Sequence, residues 1–296
     1  MRNEKIPSRG LRAASIAALV AIALLSPSSA PAQSGAGRAA ELERVLVQLA
    51  ERAAIYEHTA LRFACVEAVS DSRYNSKEKI TRQYGESHDY LLEYTERRGL
   101  QPYRALLTKD GQATRRRKVE PDYAVPEPYS WNLLFTADRQ SKFQFALVDK
   151  EMIDQYLTWV IEFRPLLAFV DGKDIEQWEG KVWVDQDSLD IIQVEAIPGL
   201  QDETLQAHLQ ACRESFSFLG MTTKKCPLTR RLQVEMGTVR EGLRFPSRSF
   251  AAVRRVSPRP DGHQSLKSSL AQEYSDYVFF DTETLEQFEK RRSETP

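Results

Sequence analysis

The sequence predicts an α+β protein: one long, curved antiparallel sheet, with an N-terminal helix and a mid-chain helical insert set against it. Three observations predict it. First, apolar and polar residues alternate in separated runs. Leu157, Trp159, Ile161 and Phe163 alternate with Tyr156, Thr158, Val160 and Glu162, and Val182 and Val184 flank Trp183. Ile192, Val194 and Ala196 alternate with Gln193 and Glu195, and Leu232, Val234 and Met236 with Gln233 and Glu235. A period of two marks half-buried antiparallel strands. Second, turn chemistry separates the runs at hairpin spacing, at Asp171-Gly172, Asp185–Asp190 and Asp261-Gly262. Third, strands follow strands without regular crossover helices, which argues against a parallel α/β sheet.

Residues 1–32 read as a cleavable secretory signal. Arg2, Lys5, Arg9 and Arg12 precede an uncharged apolar stretch, Ala13 to Leu25, and Ala30-Pro31-Ala32 supplies an A-x-A-like site for cleavage between Ala32 and Gln33. The apolar stretch is shorter than the roughly 20 residues of a bilayer span. No later run of 18 or more apolar residues exists, so no stable membrane span is expected after cleavage. The expected location is the bacterial periplasm or the exterior. Residues 33–296 are expected to form a single domain.

Ser34–Arg38 reads as a small-residue linker. Ala39–Glu57 follows as a helix, because Leu42, Val45, Leu46, Leu49, Ala53 and Tyr56 recur every three or four residues and make one stripe. After a break at His58-Thr59 comes the apolar segment Leu61–Val69. Ser130–Asp138 reads as a short helix or irregular piece. Asp202–Phe218 reads as a helix inside an insert of about 201–228, with Leu205, Leu209, Cys212 and Phe216 on one face. Glu241–Val256, a polar turn over Ser257–Gln264 and a strand from Ser269 to Phe280 close the domain.

Residues 33–296 carry 37 basic and 41 acidic side chains, a net of −4. That balance argues against a nucleic-acid partner, which requires a basic excess. Of three cysteines, Cys212 and Cys226 are the natural disulfide in an oxidising compartment, although pairings with Cys65 stay open. Cys65 reads as a small buried hydrophobe.

Motifs for catalysis are missing. His58, His88, His208 and His263 stand at no metal-ligand spacing, and neither HExxH nor CxxC occurs. No G-x-S-x-G occurs, and Ser34-Gly35-Ala36-Gly37 follows no strand that would make it a phosphate loop. Arg115-Arg116-Arg117-Lys118 reads as a solvated hairpin end, and Asp185, Asp187 and Glu179 as residues in and beside a turn. No cofactor is expected. The aromatic supply is the better clue. Trp131, Trp159, Trp178 and Trp183 lie close in sequence with Phe143, Phe145, Phe163 and Phe169. An aromatic sheet face either packs under a helix or lines an apolar cavity.

Two stretches carry a family resemblance. Gly180-Lys181-Val182-Trp183-Val184-Asp185 followed by Ile191-Ile192-Gln193-Val194-Glu195 resembles a hairpin of the LolA/LolB-like outer-membrane lipoprotein-sorting superfamily. Gly242-Leu243-Arg244-Phe245-Pro246-Ser247 with Tyr274-Ser275-Asp276-Tyr277 resembles a later hairpin of the same proteins. The resemblance implies a half-open barrel covered by helices, an apolar interior, and a carrier of lipid or lipoprotein acyl chains. A candidate lining is then Phe63, Phe143, Phe145, Trp159, Ile161, Phe163 and Trp183. The leading expectation is a non-enzymatic periplasmic carrier or sensor of a hydrophobic small molecule or lipid. The alternatives are an envelope module with a packed, cavity-free sheet that engages an envelope protein, and a secreted hydrolase with a dispersed site.

Overall fold

A computed structural model describes residues 35–59, 63–95, 99–119, 123, 125–167, 174–199, 209–212, 226–257 and 263–279. The leader, its cleavage site at Ala32 and Gln33, the turns at Asp171-Gly172 and Asp261-Gly262, and most of the 201–228 insert lie outside these residues.

Helix α1 spans Gly35–Thr59, longer at both ends than the apolar stripe required. The strands are β1 (Phe63–Tyr74), β2 (Ile80–Thr95), β3 (Gly99–Lys109), β4 (Gln112–Val119), β5 (Phe143–Ile153) and β6 (Tyr156–Pro165). They continue as β7 (Trp178–Asp185), β8 (Ile191–Pro198), β9 (Leu228–Glu235), β10 (Thr238–Arg240), β11 (Leu243–Phe245), β12 (Arg248–Val256) and β13 (Gln264–Phe279). The expected short helical piece near Ser130 is a 3₁₀ turn, Pro128–Leu133, followed by a single α turn, α2 (Ala137–Gln140). Of the expected insert helix, 209–212 is described and is helical, with Leu209 and Cys212 buried. Cys212 and Cys226 form the disulfide, and Cys65 is free and buried.

Eleven strands form one curved, unclosed sheet in the order β4-β3-β2-β1-β13-β12-β9-β8-β7-β6-β5. Every neighbouring pair is antiparallel. The β1–β13 pairing brings the first and last described strands side by side at mid-sheet. Hairpins account for most other pairs, and their turns show why. Asp110 and Gly111 both have positive φ, 49° and 78°, as a tight two-residue hairpin turn demands. Glu241 and Gly242 do the same, at 51° and 74°. That second turn makes Leu243–Phe245 pair with Thr238–Arg240 in a separate two-stranded sheet. Within the expected hairpin, Leu243–Phe245 therefore pairs with β10, and the segment meets the Tyr274 strand at its end, where the Tyr274 N–H donates to the Ser247 carbonyl at 3.0 Å and Arg248 lies opposite Glu273. The Tyr277 hydroxyl also donates to the Pro246 carbonyl at 2.7 Å.

The edge strands are β4 and β5. The basic run Arg115–Lys118 lies along β4 with Arg115 and Arg117 exposed, and charge on an edge strand discourages further pairing. On β5, the bulge between Leu147 and Asp149 leaves the Val148 carbonyl to accept from Arg38 of α1 at 3.4 Å.

Two clusters of buried side chains make up the core. The larger joins Val45, Leu49 and Ala53 of α1 to Trp131, Phe143, Phe163, Trp178, Val194 and Leu232. The smaller joins Tyr56 to Phe63, Tyr90, Tyr129, Phe245 and Tyr274.

Candidate functional site: an aromatic face beside a buried ion cluster

Register sets the aromatic face. Phe145 lies opposite Phe163, Leu147 opposite Ile161, Lys150 opposite Trp159 and Met152 opposite Leu157, and directly opposed residues share a face. At one end this row is closed under α1. Rings of Trp131 and Phe163 lie 5.7 Å apart, Phe143 and Phe163 6.0 Å, and Phe135 and Phe145 5.3 Å. At the other end Leu157 and Met152 are exposed. Thus Phe143, Phe145, Trp159, Ile161 and Phe163 come together, against α1. Two members of the candidate lining do not join them. Trp183 lies on the opposite face of β7, because Val182 and Val184 occupy the core-facing positions, and its indole donates to Glu151 at 3.0 Å. Phe63 belongs to the second cluster, packed on Tyr129 and Phe245 at 5.2 Å each.

Helix α1 is tethered over this face at two places. Near its start, Glu41 accepts from Lys150 Nζ at 2.7 Å and from the Trp159 indole at 3.2 Å. Near its end, Asp190 accepts from Arg52 Nε at 2.7 Å and from the Tyr56 hydroxyl at 2.8 Å. The Tyr56 oxygen in turn accepts from the Arg244 backbone N–H at 2.7 Å. Burial, followed by the nearby Asp190 charge, pushes the Tyr56 phenol well above its ordinary value, so it stays a donor. Between the tethers, Gln140 donates to the Leu46 carbonyl at 2.7 Å.

Beside the aromatic face sits a cluster that sequence reasoning missed. Glu67 of β1 is wholly buried and accepts from Arg104 Nε at 2.5 Å and Nη2 at 2.8 Å, from Gln272 at 3.0 Å and from Tyr274 at 2.9 Å. Arg104 also donates to both oxygens of Glu127, at 3.1 and 2.9 Å. His88 is buried with its ring nitrogens 3.2 Å from Glu67 and 3.5 Å from Glu86. Burial by itself would raise the Glu67 carboxyl, but the Arg104 hydrogen bonds, helped by His88 and Tyr274, bring it down to about 2. A carboxylate so held is no general acid or base near neutrality. Its work is positional: through Arg104 it fixes Glu127, the residue before the 3₁₀ turn that inserts Trp131 into the core. One signal was present in the sequence. Glu67 falls in register with Phe63, Cys65 and Val69, a charge at an apolar position of an alternating strand. Cys65 lies on this face too, and burial, reinforced by Glu67, pushes its thiol far above the ordinary range, which leaves it unreactive.

Among the described residues, no group of three His, Cys, Asp or Glu side chains could hold a metal ion, and no helix is long and apolar enough to cross a membrane.

No protein-family model and no curated protein match the chain. Solved structures do. A DUF1329 family protein from Desulfovibrio piger is 13% identical, over 82% of this chain and 98% of that one, with a TM-score of 0.39. A LolA superfamily protein from Nitrosomonas europaea is 12% identical, over 80% and 94%, at 0.33. A domain named for outer membrane lipoprotein sorting, from Vibrio parahaemolyticus, is 10% identical, over 83% and 97%, at 0.35. At these scores the likeness is distant.

Proposed function

We propose that this chain is an exported, non-enzymatic carrier or sensor of a hydrophobic ligand, working in the bacterial periplasm. One observation carries the reading: an aromatic and aliphatic sheet face covered by helix α1, which side-chain tethers hold, together with the Trp131 and Phe135 rings. The row from Phe145 and Phe163 to Leu157 and Met152 offers apolar surface from the buried interior to the exposed end of the β5–β6 hairpin. Hydrocarbon placed there leaves water at about 25 cal/mol per Å2. Displacing α1 would expose the face, and the polar tethers at Glu41 and Asp190 offer it a fixed position to return to. Export is supported by the leader read from residues 1–32. The LolA/LolB-like hairpin resemblance is consistent with this use of the fold.

The ring contacts of Trp131, Phe143 and Phe163 favour a second reading, an envelope interaction module whose sheet face is permanently filled. The two separate on one experiment. The chain from Gln33 onward, purified from a periplasmic extract, is examined by native mass spectrometry and titrated with a fluorescent fatty acid. The carrier reading expects co-purifying lipid or saturable probe binding, with quenching of tryptophan emission. A protein that carries no lipid and leaves the probe unbound is the packed module.

A further inference from the structure

On the core-facing side of the sheet, register draws one row across five strands. Arg82 of β2 lies opposite Arg73 of β1, and Arg73 opposite Ser268 of β13. Ser268 lies opposite Val253 of β12, and Val253 opposite Arg230 of β9. Glu67 stands six residues before Arg73 on the same strand, so the row faces the same side as the buried cluster. Arg255, two residues beyond Val253, faces that side as well. Four guanidinium groups therefore share one end of this face. One step inward, the same strands present Leu232, Ala251 and Leu270, which belong to or pack on the larger core.

Stability explains this arrangement only in part, although the Arg82 guanidinium lies 4.2 Å from the centre of the Tyr84 ring. Arg73 and Arg82 are directly opposed like charges, which is destabilising in a sheet. Asp71 pairs with Arg73 at 3.5 Å between two exposed side chains, which compensates little. Glu86, two rows further in, is engaged by Lys109 at 3.2 Å. Among the described residues, the Arg255 Nε is buried with no hydrogen-bond partner. Burial lowers the Arg230 guanidinium below its ordinary value. Four guanidinium groups in one row, bordering apolar core, match a ligand that is anionic at one end and hydrocarbon at the other.

We propose that the row Arg82, Arg73, Arg230 and Arg255 binds the anionic headgroup of an amphiphile, a carboxylate or a phosphate, whose hydrocarbon chain runs inward along the apolar face. The proposal rests on the hydrophobic-ligand reading and names the class of ligand.

The test is calorimetric titration of the chain from Gln33 onward, below micellar concentrations, with oleate, 1-oleoyl-lysophosphatidate and oleyl alcohol. The anions are expected to bind at least about tenfold more tightly than the alcohol, the worth of one charge-assisted contact. The stronger of the two anions then identifies carboxylate or phosphate as the source. Arg73 and Arg82 are exposed, so Arg73→Glu/Arg82→Glu should fold as wild type by circular dichroism. It should lose the anion preference while keeping the alcohol. Arg73→Gln/Arg82→Gln should fall between. Equal binding of alcohol and oleate, or an anion preference unchanged by the double charge reversal, overturns the headgroup site and leaves the hydrophobic-ligand reading standing. Failure of all three ligands to bind removes both.

Discussion

Arg104 grips Glu67 with two parallel hydrogen bonds, at 2.5 and 2.8 Å, and both side chains are shut off from water. The pair spans β1 and β3 across the intervening β2, so it locks three strands. Truncating either partner strands the other charge in the interior. Glu67→Ala and Arg104→Ala should each cost about 3–5 kcal/mol. The double variant should cost clearly less than the two added, because the second change removes the orphaned charge. Urea denaturation of the four proteins measures the coupling directly, and strict additivity would sink this account.

Acid should dismantle the same pair. The Glu67 carboxyl lies at about 2 in the folded protein against an ordinary 4.5. A depressed folded-state value means the stabilisation is fully present above about 4.5 and fades as pH falls toward 2. The contribution is on the order of 3 kcal/mol. Wild type should lose stability over that window more steeply than Glu67→Gln, measured as denaturation midpoints from pH 5 to pH 2.

Asp190 tethers the C-terminal end of α1. Asp190→Ala removes acceptors from both Arg52 and Tyr56 and should destabilise by about 2–3 kcal/mol, since one lost bond is to a charged donor. Hydrogen exchange should accelerate in α1 more than in β7 or β8. If the helix is the cover of a ligand face, uptake of an apolar probe should also quicken. Uniform exchange through the domain would argue that the tether is ordinary core.

Gly180 opens the hairpin motif read from the sequence, and the fold gives it a reason. A Cβ there would collide with the Glu195 carbonyl oxygen and the Ala196 Cα, both backbone atoms that cannot rotate aside. Gly180→Ala should cost about 3 kcal/mol, at the upper end for overpacking. Gly85, whose Cβ would meet nothing within 4 Å, is the control, and its alanine variant should be near neutral by comparison.

The Cys212–Cys226 bridge closes a loop with a sequence separation of 14. Reduction, or replacement of both cysteines by serine, should lower stability by about 3 kcal/mol through release of the unfolded chain. Thermal unfolding with and without reductant reads this, and Cys65→Ser should show the same reductant-dependent shift as wild type.

Local periodicity made much of the fold legible. The stripe from Leu42 to Tyr56 announced α1, and the alternating runs around Ile161, Val194 and Leu232 announced β6, β8 and β9, because each pattern is complete within a short local stretch of chain. The disulfide followed from an expected exported address and two cysteines near each other in the chain. Which face each of the candidate lining residues takes was legible only in part. A period of two says that a strand has two faces, but Trp183 and Val182 are both apolar, so the sequence could not say which one meets the core. Phe63 shares its residue type with Phe143 but joins another cluster, since the β1–β13 pairing carries it there.

By itself the sequence determined the class of the fold, the helix that covers the sheet and the alternation of its strands, all of which depend on neighbours in the chain. Tertiary structure decided what the faces contain. Glu67 and Arg104 are 37 residues apart, and Arg73 and Arg230 meet in one row only because β1, β13, β12 and β9 lie side by side. Such groupings depend on strand register between distant segments, where a slip of one residue turns every side chain to the opposite face.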